Sequence, residues 1–360
     1  MRREEYHRIM KQSGIFLTAV MLADLMAPAL YAGAGADGAA FLKIDAGARA
    51  AAMGGAFTAV ADDASSVFYN PAGPALLRNQ EIMLGHNEWL EGLRNEHAAY
   101  VHPVSSALTL FTGLAALITP PLAGYDDAGA PTGKFSVMDG AAGAGAAWAA
   151  DGDLFFGVFI KGVYQQADGQ KALAYAGDLG VIKKCGASLR LGAAAQNFGT
   201  PIKLYTDSFD LPRTYRGGAA YRVTDRLWVS GEAVKAGASD VTVAAGAEGS
   251  IEDTFLVRFG YKTGRAQYGG PGFSAGVGFR EGDTSIDYAF TPFGDLGSTH
   301  RLTLSFRFGE NRWEFAPGRK PERSRRSVRT PARTKPSRPV PAAAKQPPAA
   351  AEENPIKFIW

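Results

Sequence analysis

The feature that most restricts how this chain can fold is a strict alternation of apolar and polar side chains, repeated in strand-length runs from about Ile82 to Gly309. In Thr254 to Lys262, Phe255, Val257, Phe259 and Tyr261 share one face, and Thr254, Arg258, Gly260 and Lys262 share the other with Leu256 as the exception. The same design returns at Arg301 to Phe308, Leu227 to Lys235, Ala187 to Asn197 and Thr284 to Thr291. A charge in mid-strand is costly in a dry core, so the second face needs water while the first needs an apolar surround. Many such strands exceed what one soluble sandwich or lipocalin-like core could hold, and they point to an all-β, transmembrane barrel.

Punctuation between the runs sets the topology. Short turns are expected near Pro103 to Ser106, Ala150 to Gly152, Lys184 to Gly186, Thr224 to Asp225, Glu252 to Asp253 and Glu281 to Asp283. Longer links are expected near Asn87 to Glu96, Thr119 to Phe135, Gln165 to Lys171, Thr200 to Arg213, Ala236 to Asp240, Thr263 to Pro271 and Pro292 to Thr299. Six turns alternating with seven loops join about fourteen antiparallel strands, with both ends of the barrel on the short-turn side. Closing the ring leaves no unpaired strand edge in lipid.

Both chain ends differ from this middle. Met1 to Met26 carries Arg2, Arg3, Arg8 and Lys11 before an apolar run from Gly14, and small residues follow at Ala32, Gly33, Ala34 and Ala36. That order predicts a signal peptide over 1–34, exported through the Sec pathway, because the run is too short to cross a bilayer as a helix. At the other end, 310–360 is basic and proline-rich, with Arg323, Arg325, Arg326, Arg329, Arg333, Lys335, Arg338 and Lys345. Residues 35–318 hold 23 Lys and Arg against 29 Asp and Glu, whereas 319–360 is near +8. The tail is expected to be disordered in the periplasm, where an acidic partner or the cell wall could attract it and nucleic acid is absent. With Cys185 as the only cysteine, no intrachain disulfide or cysteine metal cluster can form.

Between leader and barrel, 35–80 does not alternate. Its alanine runs suit short helices, Gly54 and Gly55 break them, and Asn70-Pro71 signals a turn. Such a segment could cover a pore or lie along the inner membrane surface. Its text resembles the start of the PorV/PorQ family of outer-membrane proteins, which is similar in fold to the FadL long-chain fatty-acid channels. The matching pieces are Gly47-Ala48-Arg49, Ala52-Met53-Gly54-Gly55-Ala56, Ala61-Asp62-Asp63-Ala64 and Tyr69-Asn70-Pro71-Ala72-Gly73, with Gly297 to Phe306 resembling the last strand. The resemblance implies fourteen strands over 81–309 and a hatch in the lumen. It singles out Met53, Gly54, Gly55, Asp62, Asp63, Asn70, Pro71, Ala72 and Gly73 as the hatch motif.

Two functions follow from the resemblance. One is a FadL-like outer-membrane channel for passive uptake of hydrophobic small molecules. The alternative is a PorV-like component of type IX secretion that binds or shuttles secreted proteins. Neither needs an enzyme's residues or a cofactor. Gly272 to Gly276 matches a nucleophile elbow, but Ser274 lies within an alternating strand with no following helix. Gly33 to Gly38 matches a dinucleotide fingerprint without the strand that should precede it. His86, His97, His102 and His300 lack metal-ligand spacing, and Asp62-Asp63 more often caps a helix than binds a cation. Arg190, Arg216, Arg222, Glu232, Arg258, Arg280, Asp287 and Arg307 are assigned to the lumen, where mixed charge favours solvation or anchoring of the hatch over ion selection.

Overall fold

The computed structural model describes residues 37–264 and 271–309. The leader, the tail and most of the glycine-rich dinucleotide match lie outside the described residues.

Fourteen of the strands in the described residues close into one antiparallel ring, each paired with its neighbours in sequence. They are β1 (Gln80–Glu88), β2 (Arg94–Pro103), β3 (Leu108–Ile118), β4 (Val137–Ala149), β5 (Leu154–Ala167), β6 (Gln170–Cys185) and β7 (Leu189–Gly199), followed by β8 (Thr214–Thr224), β9 (Leu227–Ala236), β10 (Thr242–Ile251), β11 (Phe255–Lys262), β12 (Phe273–Glu281), β13 (Thr284–Pro292) and β14 (Ser298–Phe308). β1 closes the ring on β14, from Gln80 opposite Phe308 to Glu88 opposite His300. Two small hairpins, Leu122–Tyr125 with Pro131–Phe135 and Ile202–Leu204 with Asp207–Phe209, stand in the loops 119–136 and 200–213.

Alternation becomes geometry because successive side chains of a strand point to opposite faces. Ile160, Leu179 and Phe259 turn outward at 69, 62 and 62% exposure, whereas Arg258, beside Phe259, is 1% exposed on the inward face. Exposed aliphatic and aromatic side chains on strand after strand are what lipid contact requires. Leu256, the exception in its run, is buried on the inward face.

One expected connection is corrected. Gln165 to Lys171 is not a long loop: β5 and β6 pair through it to Ala167 opposite Gln170, leaving only Asp168-Gly169 as the turn. Asp168 and Gly169 both adopt positive φ, as a two-residue hairpin with the favoured twist demands. Polar text in an outer strand extension reads like loop text, because both are solvated.

A charge placed on the outward face should cost about 2–4 kcal/mol near the bilayer midplane. We expect Ile160→Arg, in mid-β5, to lower unfolding stability in lipid vesicles by about that much, while Tyr205→Arg in an outer loop shifts it by under about 0.5 kcal/mol. Equal effects would contradict a lipid-facing outer surface.

Candidate functional site inside the barrel

The N-terminal segment 37–79 lies inside the ring. It begins among the long loops, where Asp37 accepts from Ala238 N and Gly38 N donates to Asp210 O. It runs down to the short-turn end, where β1 begins. Its local structure follows from its residues. Helix α1 (Ala48–Ala52) ends at Gly54 and Gly55, whose φ of 70° and 84° reverse the chain. Asp63 caps the 3-10 turn Ala64–Phe68 by accepting from Ser65 N. Asn70 Nδ2 donates to Thr58 O and to Val181 O of β6, and its Oδ1 accepts from Ala72 N. Pro71 follows that turn, and Gly73 is pressed against Ala61 and Ser66. Met53 is fully buried against Gly246 of β10. The motif residues thus shape and seat the segment.

The wall meets the segment with backbone-level contact at glycines. A Cβ on Gly157 would overlap the Pro71 carbonyl, and one on Gly192 would overlap the Thr58 carbonyl. Wall hydroxyls and amides serve the segment's backbone: Ser274 donates to Ala52 O, Ser230 to Ala56 O and Gln196 to Phe68 O, while Thr303 accepts from Ala48 N. Ser274 therefore holds the segment.

Charges join the two more strongly. Arg49 Nε and Nη2 each reach Glu248 of β10 at 2.7 Å, while Nη1 reaches Asp62 at 2.7 Å and Asp63 at 2.8 Å. Asp62 also accepts from Arg190 of β7, and Glu248 accepts from Arg258 of β11, which donates onward to Asp287 of β13. One chain of ion pairs therefore crosses the lumen through the segment. Glu232 accepts from Phe57 N and Thr58 N with one oxygen and from Arg216 with the other. Lys262 pairs with Asp45, and Arg307 with Glu81, which also accepts from Ala64 N.

Burial acts against charge on both members of the central pair and is the largest influence on each, but their partners outweigh it. Glu248, Asp62 and Asp63 raise the Arg49 pKa above its ordinary value. Arg49 and Arg190 hold the Asp62 carboxyl well below the usual carboxylate range.

Of the charges assigned to the lumen from sequence, Arg190, Arg216, Glu232, Arg258, Asp287 and Arg307 fall in these networks. Arg222 differs: it sits at the short-turn rim, donating to Ala187 O and pairing with exposed Asp225, away from the segment's ion pairs. Arg280 stands at the same end with its buried Nε lacking a hydrogen-bond partner among the described residues. Among the histidines, His97 is buried against the Phe68 ring, and no described group of His, Cys, Asp or Glu is arranged for a metal.

Sequence reasoning missed a second buried site. Lys161 of β5 binds Asp178 of β6 at 2.7 Å, and Asp178 also accepts from Asn197 N. Here β6 and β7 slip register around Asp178, Asn197 takes φ of 64°, and Gln196 and Asn197 both turn inward. Asn197 Oδ1 has no protein partner among the described residues. A cavity of about 50 Å³ adjoins this site, with Phe41, Leu42, Phe68 and Phe159 as its apolar lining. Lone charges in the apolar runs of β5 and β6 were the available signal, although the bulge between β6 and β7 left none.

The model described as "Uncharacterised protein family (UPF0164)" matches residues 33–109. No curated protein sequence matches. Among solved structures, the Ralstonia pickettii toluene transporter TbuX is similar with a TM-score of 0.55 at 15% identity, covering 73% of this chain and 98% of its own. The Pseudomonas putida toluene transporter TodX gives 0.54 at 13% identity, covering 73% and 97%. A Pseudomonas aeruginosa FadL homologue gives 0.52 at 13% identity, covering 73% and 98%. At such identities the likeness establishes a shared barrel fold.

Breaking the central network should be costly. Arg49→Gln leaves three carboxylates without their shared cation, and we expect about 3–5 kcal/mol less stability in urea unfolding. A loss below about 1 kcal/mol would show that the network does not hold the segment. For Asp62, a depressed folded pKa means its stabilisation is complete above the ordinary aspartate range, near about pH 4, and fades only as pH falls through the lower folded value. Pepsin cleavage within 37–79, followed on intact barrels, should therefore begin only below that range, and Asp62→Asn should remove this part of the acid dependence. Cleavage of both proteins beginning together at about pH 5 would contradict the assignment.

Proposed function

We propose that the protein is an outer-membrane channel for passive uptake of hydrophobic small molecules, with the segment 37–79 as its movable hatch. The observation that carries this reading is the amphipathic cavity between segment and wall, in a barrel whose solved fold relatives include toluene transporters. Its size decides the mechanism. A cavity that admits benzene measures about 150 Å³, against about 50 Å³ here. A ring-sized solute cannot rest in the seated arrangement, so entry requires the segment to shift.

Apolar side chains such as Phe41 and Phe159 would take up the solute's body at about 25 cal/mol per Å² buried. The Lys161–Asp178 pair and Asn197 Oδ1 offer the polar edge of the pocket. The segment is held by apolar packing against the wall and by ion pairs and hydrogen bonds, the latter of which water can replace as the hatch loosens. The sheet needs no change in its pairing for this motion. In this scheme no residue performs covalent chemistry, and the gradient of solute supplies the direction.

The test is a lock. A Cβ on Gly276 would lie 2.6 Å from that of Ala52, so a cysteine at each position is within disulfide reach after a small shift. In a Cys185→Ser background, oxidised Ala52→Cys/Gly276→Cys protein should lose most toluene uptake into cells, and reductant should restore it. Unchanged uptake in the oxidised form would remove the moving hatch. If uptake were unaffected while delivery of secreted proteins to the cell surface fell, the secretion reading would replace this one.

A further inference from the structure

The polar edge of the outer cavity, that of about 50 Å³ between segment and wall, is built on a single carboxylate. Asp178 Oδ2 accepts from Lys161 Nζ at 2.7 Å, and Oδ1 accepts from Asn197 N at 2.7 Å. Groups from the neighbouring strands β5, β6 and β7 therefore meet at one point. All three residues are almost wholly buried, Asp178 at 2%, Asn197 at 3% and Lys161 at 8% exposure.

Two hydrogen-bonding capacities are left over there. Asn197 Nδ2 donates to Pro212 O, which fixes the amide and leaves Oδ1 as an acceptor with no partner among the described residues. The Lys161 ammonium carries three donors, and among the described residues it makes one hydrogen bond, to Asp178. Other polar groups around the cavity are engaged: Tyr69 OH donates to Ala46 O, and Gln196 donates to Phe68 O while accepting from Arg216. Beside this edge, Phe41, Leu42 and Phe159 provide an apolar wall.

We infer that the preferred solute is an apolar molecule bearing a hydroxyl group, which donates to Asn197 Oδ1 and accepts from Lys161 Nζ while its body lies on the apolar wall. This rests on the uptake reading and narrows it. Charge and desolvation separate the class from its neighbours. The Lys161–Asp178 pair is neutral overall, so a carboxylate would meet the Asp178 carboxylate and the Asn197 oxygen, neither of which can donate to it. A bare hydrocarbon would shut water away from Asn197 Oδ1 and put nothing in its place, which is costly for a buried polar atom. A hydroxyl both donates and accepts, the combination that the site leaves open. As for any ring-sized solute, its body enters only when the segment shifts.

The readout is lock-sensitive uptake: the difference between reduced and oxidised Ala52→Cys/Gly276→Cys protein, as the full chain in the Cys185→Ser background, in cells without general porins. Toluene, benzyl alcohol and benzoate share one ring with a one-carbon substituent and differ in the group offered to the site. Benzyl alcohol should reach half-maximal uptake at about a tenfold lower concentration than toluene or benzoate, the factor expected of one buried hydrogen bond. Asn197 has φ of 64°, which glycine adopts readily, so Asn197→Gly should bring the benzyl alcohol to toluene ratio close to one. Lys161→Met/Asp178→Asn removes both charges together, leaving neither buried alone, and should lower the same ratio. Heat-modifiable gel mobility confirms that each variant is folded. The inference alone is overturned if toluene uptake is lock-sensitive but benzyl alcohol has no advantage, if benzoate is favoured over benzyl alcohol, or if the advantage survives in both folded variants. Absence of lock-sensitive uptake for all three solutes would remove the uptake reading itself and this inference with it.

Discussion

Everything in this structure depends on where a charged strand face can go. A closed sheet whose outer surface is apolar has one place for arginine and glutamate side chains, the lumen. Once the lumen is filled by another part of the chain, those charges must be paired there or neutralised. Arg49 is the point where both demands are met. It comes from the segment, yet it binds Glu248 of the wall on one side and Asp62 and Asp63 on the other. Arg190 and Arg258 then extend the chain of pairs into strands far apart in sequence.

The remaining features divide according to whether they fix the segment or border the space beside it. Glycines on the inward wall let the segment's backbone lie directly on the sheet, and wall hydroxyls satisfy its carbonyls. Small residues on β3 and β4 act in the other direction. Gly113, Ala115 and Ala141 border the outer cavity, so space remains beside a segment that is otherwise tightly seated. The bulge between β6 and β7 places Asp178 and Asn197 at that space without opening the sheet, because pairing resumes at once on either side. The segment thus has polar contacts on one side and a void on the other.

Much of the barrel was legible in the sequence because a two-residue period survives any change of partner. The inward direction of Arg190, Glu232, Arg258 and Asp287 follows from that period, and the strand number from the turns and loops between the runs. What the period cannot carry is who meets whom across the lumen. Arg258 pairs with Glu248 on the adjacent strand, but Arg49 and Glu248 are 199 residues apart, and nothing local marks them as partners. Likewise, nothing local marks Gly157 and Gly192 as the seats of the Pro71 and Thr58 carbonyls. Asp168-Gly169 was hidden for a different reason: strand extensions in water lose the apolar half of the pattern. Residues with several roles, such as Asp63, are legible only in part, since capping could be read from the sequence and the ion pair with Arg49 could not.

The central claim is that the lumen is occupied by a segment whose charges complete those of the wall. The most direct measurement is the electrical conductance of the intact chain in planar lipid bilayers. An occupied lumen predicts a tight baseline broken at most by brief, small openings, with no steady ohmic pore of the width that fourteen strands would enclose. A large, stable, voltage-independent conductance from the unmodified protein would contradict it.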